Sequence, residues 1–88
     1  MSKQDVLNRL KSEKVIALIR ADSSASLLDC ARALAAGGLT CIELTMTTPN
    51  AIECCAQVAK ELPNVLLGLG TVLDAETAKR GIAAGAKF

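Results

Sequence analysis

The sequence predicts an α/β fold, the N-terminal part of a parallel (β/α)8 barrel with a leading helix, three βα units and the start of a fourth strand. Short aliphatic runs recur at VIALIR (15–20), CIELTM (41–46) and VLLGLG (65–70), and their starts lie 26 and 24 residues apart. Helix-like stretches with recognisable stops fill the intervals, an alternation expected of βα units and a parallel sheet. Runs this apolar suit strands buried on both faces.

Each element has local support. Residues 1–13 read as an N-terminal helix, with Ser2 and Asp5 resembling a capping box and Val6, Leu7 and Leu10 forming a face that would cover the bottom of a barrel. After the first strand, Ser23 or Ser24 is the expected N-cap of a helix whose apolar positions are Leu27, Leu28, Ala31, Leu34 and Ala35. Gly37 and Gly38 end it. The next helix is expected to take Thr48 as N-cap with Pro49 at its first position, to face inward through Ile52, Cys55, Ala59 and Leu62, and to stop at Pro63. The last begins near Asp74, runs through Ala78 and Ile82, and meets Gly85 where a left-handed residue is expected. LAAGGLTCIEL (34–44) and IAAGAKF (82–88) form a weak internal repeat of helix end, glycine turn and new strand, which sets Phe88 early in a fourth strand. Residues 14–88 are thus the first βα units of one incomplete barrel domain, 1–88, with no linker inside it.

Composition bounds the function. A closed eight-stranded TIM barrel takes roughly 250 residues, so 88 residues are expected to be a fragment of one. The 51% hydrophobic and 22% charged content argues for a core rather than disorder. Phe88 is the only aromatic residue, which leaves no stacking platform for single-stranded nucleic acid. Ten basic and nine acidic residues, scattered to a net charge of +1, provide no patch for a polyanion or a membrane surface. The amphipathic N-terminus lacks a secretory core and no run reaches the roughly 18 apolar residues of a membrane span, so a cytoplasmic setting is expected, with organelle import left open. Cys30, Cys41, Cys54 and Cys55 contain no C-x-x-C pair and have no histidine to join them, so they are expected to be buried reduced thiols rather than metal ligands.

Ligands of parallel α/β folds bind at the carboxyl ends of the strands. That rule selects Arg20, then Glu43, Thr45 and Thr47, then Gly70 and Thr71. Glu43 interrupts an aliphatic strand, and alternation sets it with Cys41, Thr45 and Thr47 on one face, Ile42, Leu44 and Met46 on the other. If Ile42 and Leu44 pack on helices, Glu43 faces the barrel interior, where a carboxylate suits proton transfer or joins a structural ion pair. Arg20 offers a planar fork of donors to a carboxylate or phosphate, or is simply solvated. The glycines of GLGT (68–71) allow close approach of an anion, or of a packed neighbour; they do not match a dinucleotide fingerprint.

VIALIRA (15–21), AGGLTCIELTMTTPNA (36–51) and GLGTVLDAETAKRGIAAGAKF (68–88) together resemble the aldolase family that cleaves 2-keto-3-deoxy-6-phosphogluconate and 4-hydroxy-2-oxoglutarate. The resemblance covers nearly the whole chain after the first helix, and its most specific parts are IELTMTT and GLGTV. It implies a homotrimeric TIM barrel, a keto-acid substrate with a pyruvate moiety, no cofactor, and a class I mechanism of carbohydrate metabolism of the Entner–Doudoroff type. A lysine on a later strand forms the Schiff base in that family. A glutamate at the position of Glu43 shuttles protons, and Thr71 with the adjoining Gly70 would meet the pyruvate carboxylate. Well-known members carry an arginine where Thr47 stands here; others have one at the end of the first strand, which Arg20 in LIRA matches, so Arg20 is expected to take over that anion contact. Lys3, Lys11, Lys14, Lys60, Lys79 and Lys87 all lie outside the carboxyl ends of the predicted strands, so the Schiff-base lysine is expected beyond this segment, as are the phosphate-binding loops. Two other readings stay open. One is a different barrel lyase or isomerase; the other is a truncated, non-catalytic half-barrel associating through exposed strand edges.

Overall fold

In the computed structural model, which describes residues 1–88, helix α1 (Lys3–Glu13) leads into β1 (Ala17–Ile19), α2 (Leu27–Ala36), β2 (Cys41–Thr45), α3 (Ala51–Glu61), β3 (Leu66–Gly70) and α4 (Ala75–Ala84). The strands pair in parallel in the order β1-β2-β3, with Ala17 opposite Ile42 and Cys41 opposite Leu66. Parallel neighbours need a crossover, and a helix supplies each one. No helix is long and apolar enough to cross a membrane.

The period of two separates the sheet faces. Ile42, Leu44, Leu67 and Leu69 pack with Leu27 and Ala31 of α2 and with Cys55 and Val58 of α3 in the main core. Leu27, Ile42, Leu44 and Leu67 are at most 2% exposed, and each such side chain contributes roughly 1.5–3 kcal/mol by leaving water. On the opposite face Cys41 and Leu66 pack with Val6, Leu10 and Phe88, so α1 covers the amino end of that face as its apolar residues foretold. Leu7 is 41% exposed and takes no part.

Helix ends explain the internal repeat. At the end of α2 the Leu39 N–H donates to the Leu34 carbonyl (2.9 Å) and the Gly38 N–H to that of Ala35 (3.0 Å), with Gly38 at φ +98°. At the end of α4 the Ala86 N–H donates to Gly81 and the Gly85 N–H to Ile82, both at 3.0 Å, with Gly85 at φ +119°. Both are Schellman closures, whose left-handed residue favours glycine. Beyond the second, Lys87 N–H donates to Leu67 O (2.7 Å) and Leu69 N–H to Phe88 O (3.0 Å), so residues 87 and 88 begin to pair along the free edge of β3.

The helix starts divide between agreement and correction. Ser2 and Asp5 form the capping box, with Asp5 N to Ser2 Oγ at 3.1 Å and Ser2 N to Asp5 Oδ2 at 2.9 Å. Asp74 caps α4 by accepting from Thr77 N at 2.7 Å. These amide bonds hold both carboxyls below the usual carboxylate value. Neither Ser23 nor Ser24 caps α2: a bend and turn occupy residues 22–26, and the helix starts behind Ser26 without a side-chain cap. Thr48 does not cap α3 either, because Asn50 at φ 60° precedes the helix and the Thr48 hydroxyl is engaged elsewhere. The buried stripe of α3 is Ala51, Cys54, Cys55 and Val58, with Ile52, Ala59 and Leu62 at its margins. Ile82 of α4 is 68% exposed, whereas Gly81 presses on Leu69. Among the cysteines, Cys30 is exposed, contrary to expectation, and the other three are buried free thiols.

Candidate active site

Because the strands are parallel, their carboxyl ends meet at one edge of the sheet. Arg20 follows β1, Thr47 and Thr48 follow β2, and Thr71 follows β3. Glu43 lies in register between Leu18 and Gly68 on the face turned away from α2 and α3, and it is half-buried. Its carboxylate leans toward the carboxyl end of β3 and rests on Gly70. A Cβ built at Gly70 would collide with Glu43 Oε1 and stand 2.9 Å from its Cδ. Of the two roles open to Gly70, approach of an anion and close packing of a neighbour, the structure shows the second, because the missing side chain makes room for the Glu43 carboxylate. None of the surface hollows counts Glu43 among its lining residues, so the group lies on an open sheet face.

Hydroxyls organise the end of β2. Thr45, on the same face as Glu43, is fully buried, and its Oγ1 lies 2.6 Å from that of the exposed Thr47. The Thr48 N–H donates to the Thr45 carbonyl at 3.1 Å, folding the chain back, while Thr48 Oγ1 accepts the Ala21 N–H at 3.2 Å. The hydroxyl contacts of Thr45 and Thr48 emerge only here; the three threonines of TMTTP were the available signal. Met46 N–H donates to the Gly70 carbonyl at 3.0 Å and so ties β2 to the end of β3. The next residue, Thr71, is exposed and has φ 57°. A β-branched residue there is an outlier costing on the order of 1–3 kcal/mol, a form of strain that concentrates at ligand sites.

The structure brings Glu43 and Gly70 into contact and joins Thr47 to Thr45. Arg20 stands exposed at the open edge of β1, bordering a shallow hollow with Leu18, Cys30 and Leu34. Of the lysines, Lys3 and Lys11 lie on α1, Lys60 on α3 and Lys79 on α4, while Lys14 ends α1 and Lys87 enters beside Leu67. No lysine occupies a strand. Deep burial next to Cys54 pushes the Cys55 thiol up to about 11, and burial also raises Cys41; these thiols are packing groups, not nucleophiles.

The chain is a parallel βα segment with an acidic side chain and a row of hydroxyls at its strand ends, the edge at which parallel α/β folds as a class take their ligands. Comparison with known proteins narrows the class. The family model described as KDPG and KHG aldolase matches residues 6–88, and the chain belongs to that family. It is 42% identical over 84 residues to the 2-dehydro-3-deoxy-phosphogluconate aldolase of Treponema pallidum, covering 96% of this chain and 39% of that protein. The enzyme of the same name from Pseudomonas aeruginosa is 37% identical over 78 residues, covering 89% and 36%. Among solved structures, the 2-keto-3-deoxy-6-phosphogluconate aldolase of Zymomonas mobilis ZM4 with 3-phosphoglycerate superposes with a TM-score of 0.85 at 32% identity, over 99% of this chain and 41% of that one. The KDPG aldolase of Legionella pneumophila, with pyruvate captured as a covalent carbinolamine, gives 0.82 at 31% identity, over 98% and 40%. The chain spans about two-fifths of the length of these curated relatives.

Proposed function

We propose that this segment is the front of a (β/α)8 class I aldolase that cleaves 2-keto-3-deoxy-6-phosphogluconate or 4-hydroxy-2-oxoglutarate to pyruvate and an aldehyde, as part of a longer chain. One observation carries the site assignment: the Glu43 carboxylate lies over Gly70, beside the strained Thr71, at the carboxyl end of β3. A Schiff-base mechanism needs a group that delivers and removes protons while the carbinolamine loses water and while the pyruvyl carbon is protonated after carbon–carbon cleavage. Glu43 is suited to both steps, being half-buried yet open on the sheet face. Thr71 and Arg20 offer the hydroxyl and guanidinium that a pyruvate carboxylate requires. Thr47, with its hydroxyl turned to Thr45, takes a supporting part. The Schiff-base lysine comes from a later strand.

The family pattern further supports a homotrimer of the full chain, and the buried free thiols fit a reducing cytoplasm. The test is borohydride reduction of the full-length protein in the presence of labelled pyruvate. Incorporation on a lysine outside residues 1–88 is expected; no incorporation, or label on a lysine within them, would contradict the proposal. Exposure of Val15 (52%) and Ile16 (45%) just before β1 and of Leu18 (49%) within it favours a second reading for the 88-residue chain by itself, a non-catalytic half-barrel that associates through this edge. Sedimentation of that chain as a monomer would remove it.

A further inference from the structure

We propose that Thr48 is a positioning residue that clamps the end of β1 to the turn after β2 and thereby sets Arg20 relative to Glu43. Pairing between β1 and β2 ends at Ile19 and Leu44, so Arg20 stands just past the last paired residue. Unsupported, a residue at the open edge of a three-residue strand would fray. Two contacts hold its successor. The Ala21 side chain packs on the main core with those of Ala17 and Ile19, and the Ala21 N–H donates to Thr48 Oγ1 at 3.2 Å, across 27 residues of sequence.

Ala17, Ile19 and Ala21 thus continue one alternating row on the helix side. Alternation sets Arg20 on the other row with Leu18, the register partner of Glu43. The clamp is itself fixed. Thr48 is 2% exposed, and its own N–H is held by the Thr45 carbonyl at the end of the strand that carries Glu43. Any movement of Ala21 away from Thr48 therefore carries the Arg20 backbone away from β2. A buried threonine at a solvent-facing strand end, making no helix cap, otherwise lacks a reason to be hydroxylated.

The inference rests on the aldolase reading for its functional consequence, though not for the clamp. The experiment compares the full-length protein with Thr48→Val, Thr48→Ser and Arg20→Ala, and with Thr48→Val combined with Arg20→Ala. Half-saturating pyruvate in borohydride trapping should rise about 3- to 10-fold in Thr48→Val, the range a single neutral hydrogen bond commands. Thr48→Ser should restore it, and maximal labelling should change little. In the Arg20→Ala background the same valine should have almost no further effect. Hydrogen exchange at the Ala21 amide supplies the second readout: protected in the wild type and in Thr48→Ser, faster in Thr48→Val. An unchanged half-saturation, or an equal rise without Arg20, would overturn the positioning role. Equal exchange at Ala21 in all folded variants would overturn the clamp and with it the positioning role, whereas failure to label the wild-type protein would overturn the aldolase reading and leave the clamp standing.

Discussion

Replacing Gly70 by alanine separates what the site does from what the fold needs. The added methyl would occupy the place of Glu43 Oε1 and stand 2.9 Å from Cδ, so the carboxylate must move. Gly70 is absent from the positive-φ residues, so its backbone accepts alanine. Restricting the unfolded chain then stabilises by about 0.4–1 kcal/mol. Driving Glu43 from its rotamer costs roughly 0.5–1.5 kcal/mol. The two nearly cancel, and the urea midpoint of the full-length protein should stay within about 1 kcal/mol of wild type. Activity should not stay. A proton-transfer group displaced by about 1 Å loses on the order of 100-fold in rate, and kcat/KM should fall by that factor in an assay coupled to pyruvate formation. Gly68→Ala provides the contrast, since its methyl would meet the Phe88 ring at Cζ and Cδ2 rather than a carboxylate. A ring packed with Val6, Cys41 and Leu66 yields less readily than a flexible side chain, so that variant should lose about 1–3 kcal/mol of stability. A folded Gly70→Ala protein with kcat/KM within twofold of wild type would exclude the Glu43 carboxylate, in its place over Gly70, as the proton-transfer group.

Further outcomes follow from the core, the caps and the thiols. Leu27→Ala empties a position only 1% exposed and should cost about 2–5 kcal/mol in urea unfolding of the full-length protein. The Asp74 carboxyl is held low by the Thr77 amide. Its stabilisation is therefore present above the ordinary carboxylate range and is lost as pH falls through the lowered value. Asp74→Asn keeps a capping oxygen without the titration, so its urea midpoint should drop less than wild type between about pH 6 and about pH 3. Native alkylation followed by peptide mass analysis should modify Cys30 alone, with Cys41, Cys54 and Cys55 reacting only after unfolding. Since burial raises the Cys55 thiol to about 11, its protonated form favours the fold below the ordinary thiol value, and that advantage should disappear as pH rises through about 11.

Strand positions and the two glycine-closed helix ends were legible because each depends on neighbours within a few residues, and the parallel sheet because strands alternate with helices along the chain. Aliphatic runs mark the strands, buried in β2 and β3 but open in β1, where no strand covers the outer edge and Leu18 is 49% exposed, and a left-handed closure selects glycine at Gly38 and Gly85. The same locality made the Ser2–Asp5 box and the Asp74 cap readable. It also misled: Thr48 before Pro49 has the local form of an N-cap, yet its hydroxyl is taken by an amide 27 residues away. Cys30 belongs to a mostly buried set of cysteines, and only the rotation of α2 about its axis leaves it in solvent. Alternation in the sequence put Glu43 on the face opposite Ile42 and Leu44, but not which neighbour would receive its carboxylate. That choice required β3 to lie beside β2 in one register, with a residue lacking a side chain where the carboxylate arrives. Local pattern specified the order of the elements, the two faces of β2 and the candidate acid–base residue, but not which side of each helix is buried. The tertiary structure alone decided the contacts between strands, because these depend on groups that chain distance keeps apart until the sheet forms.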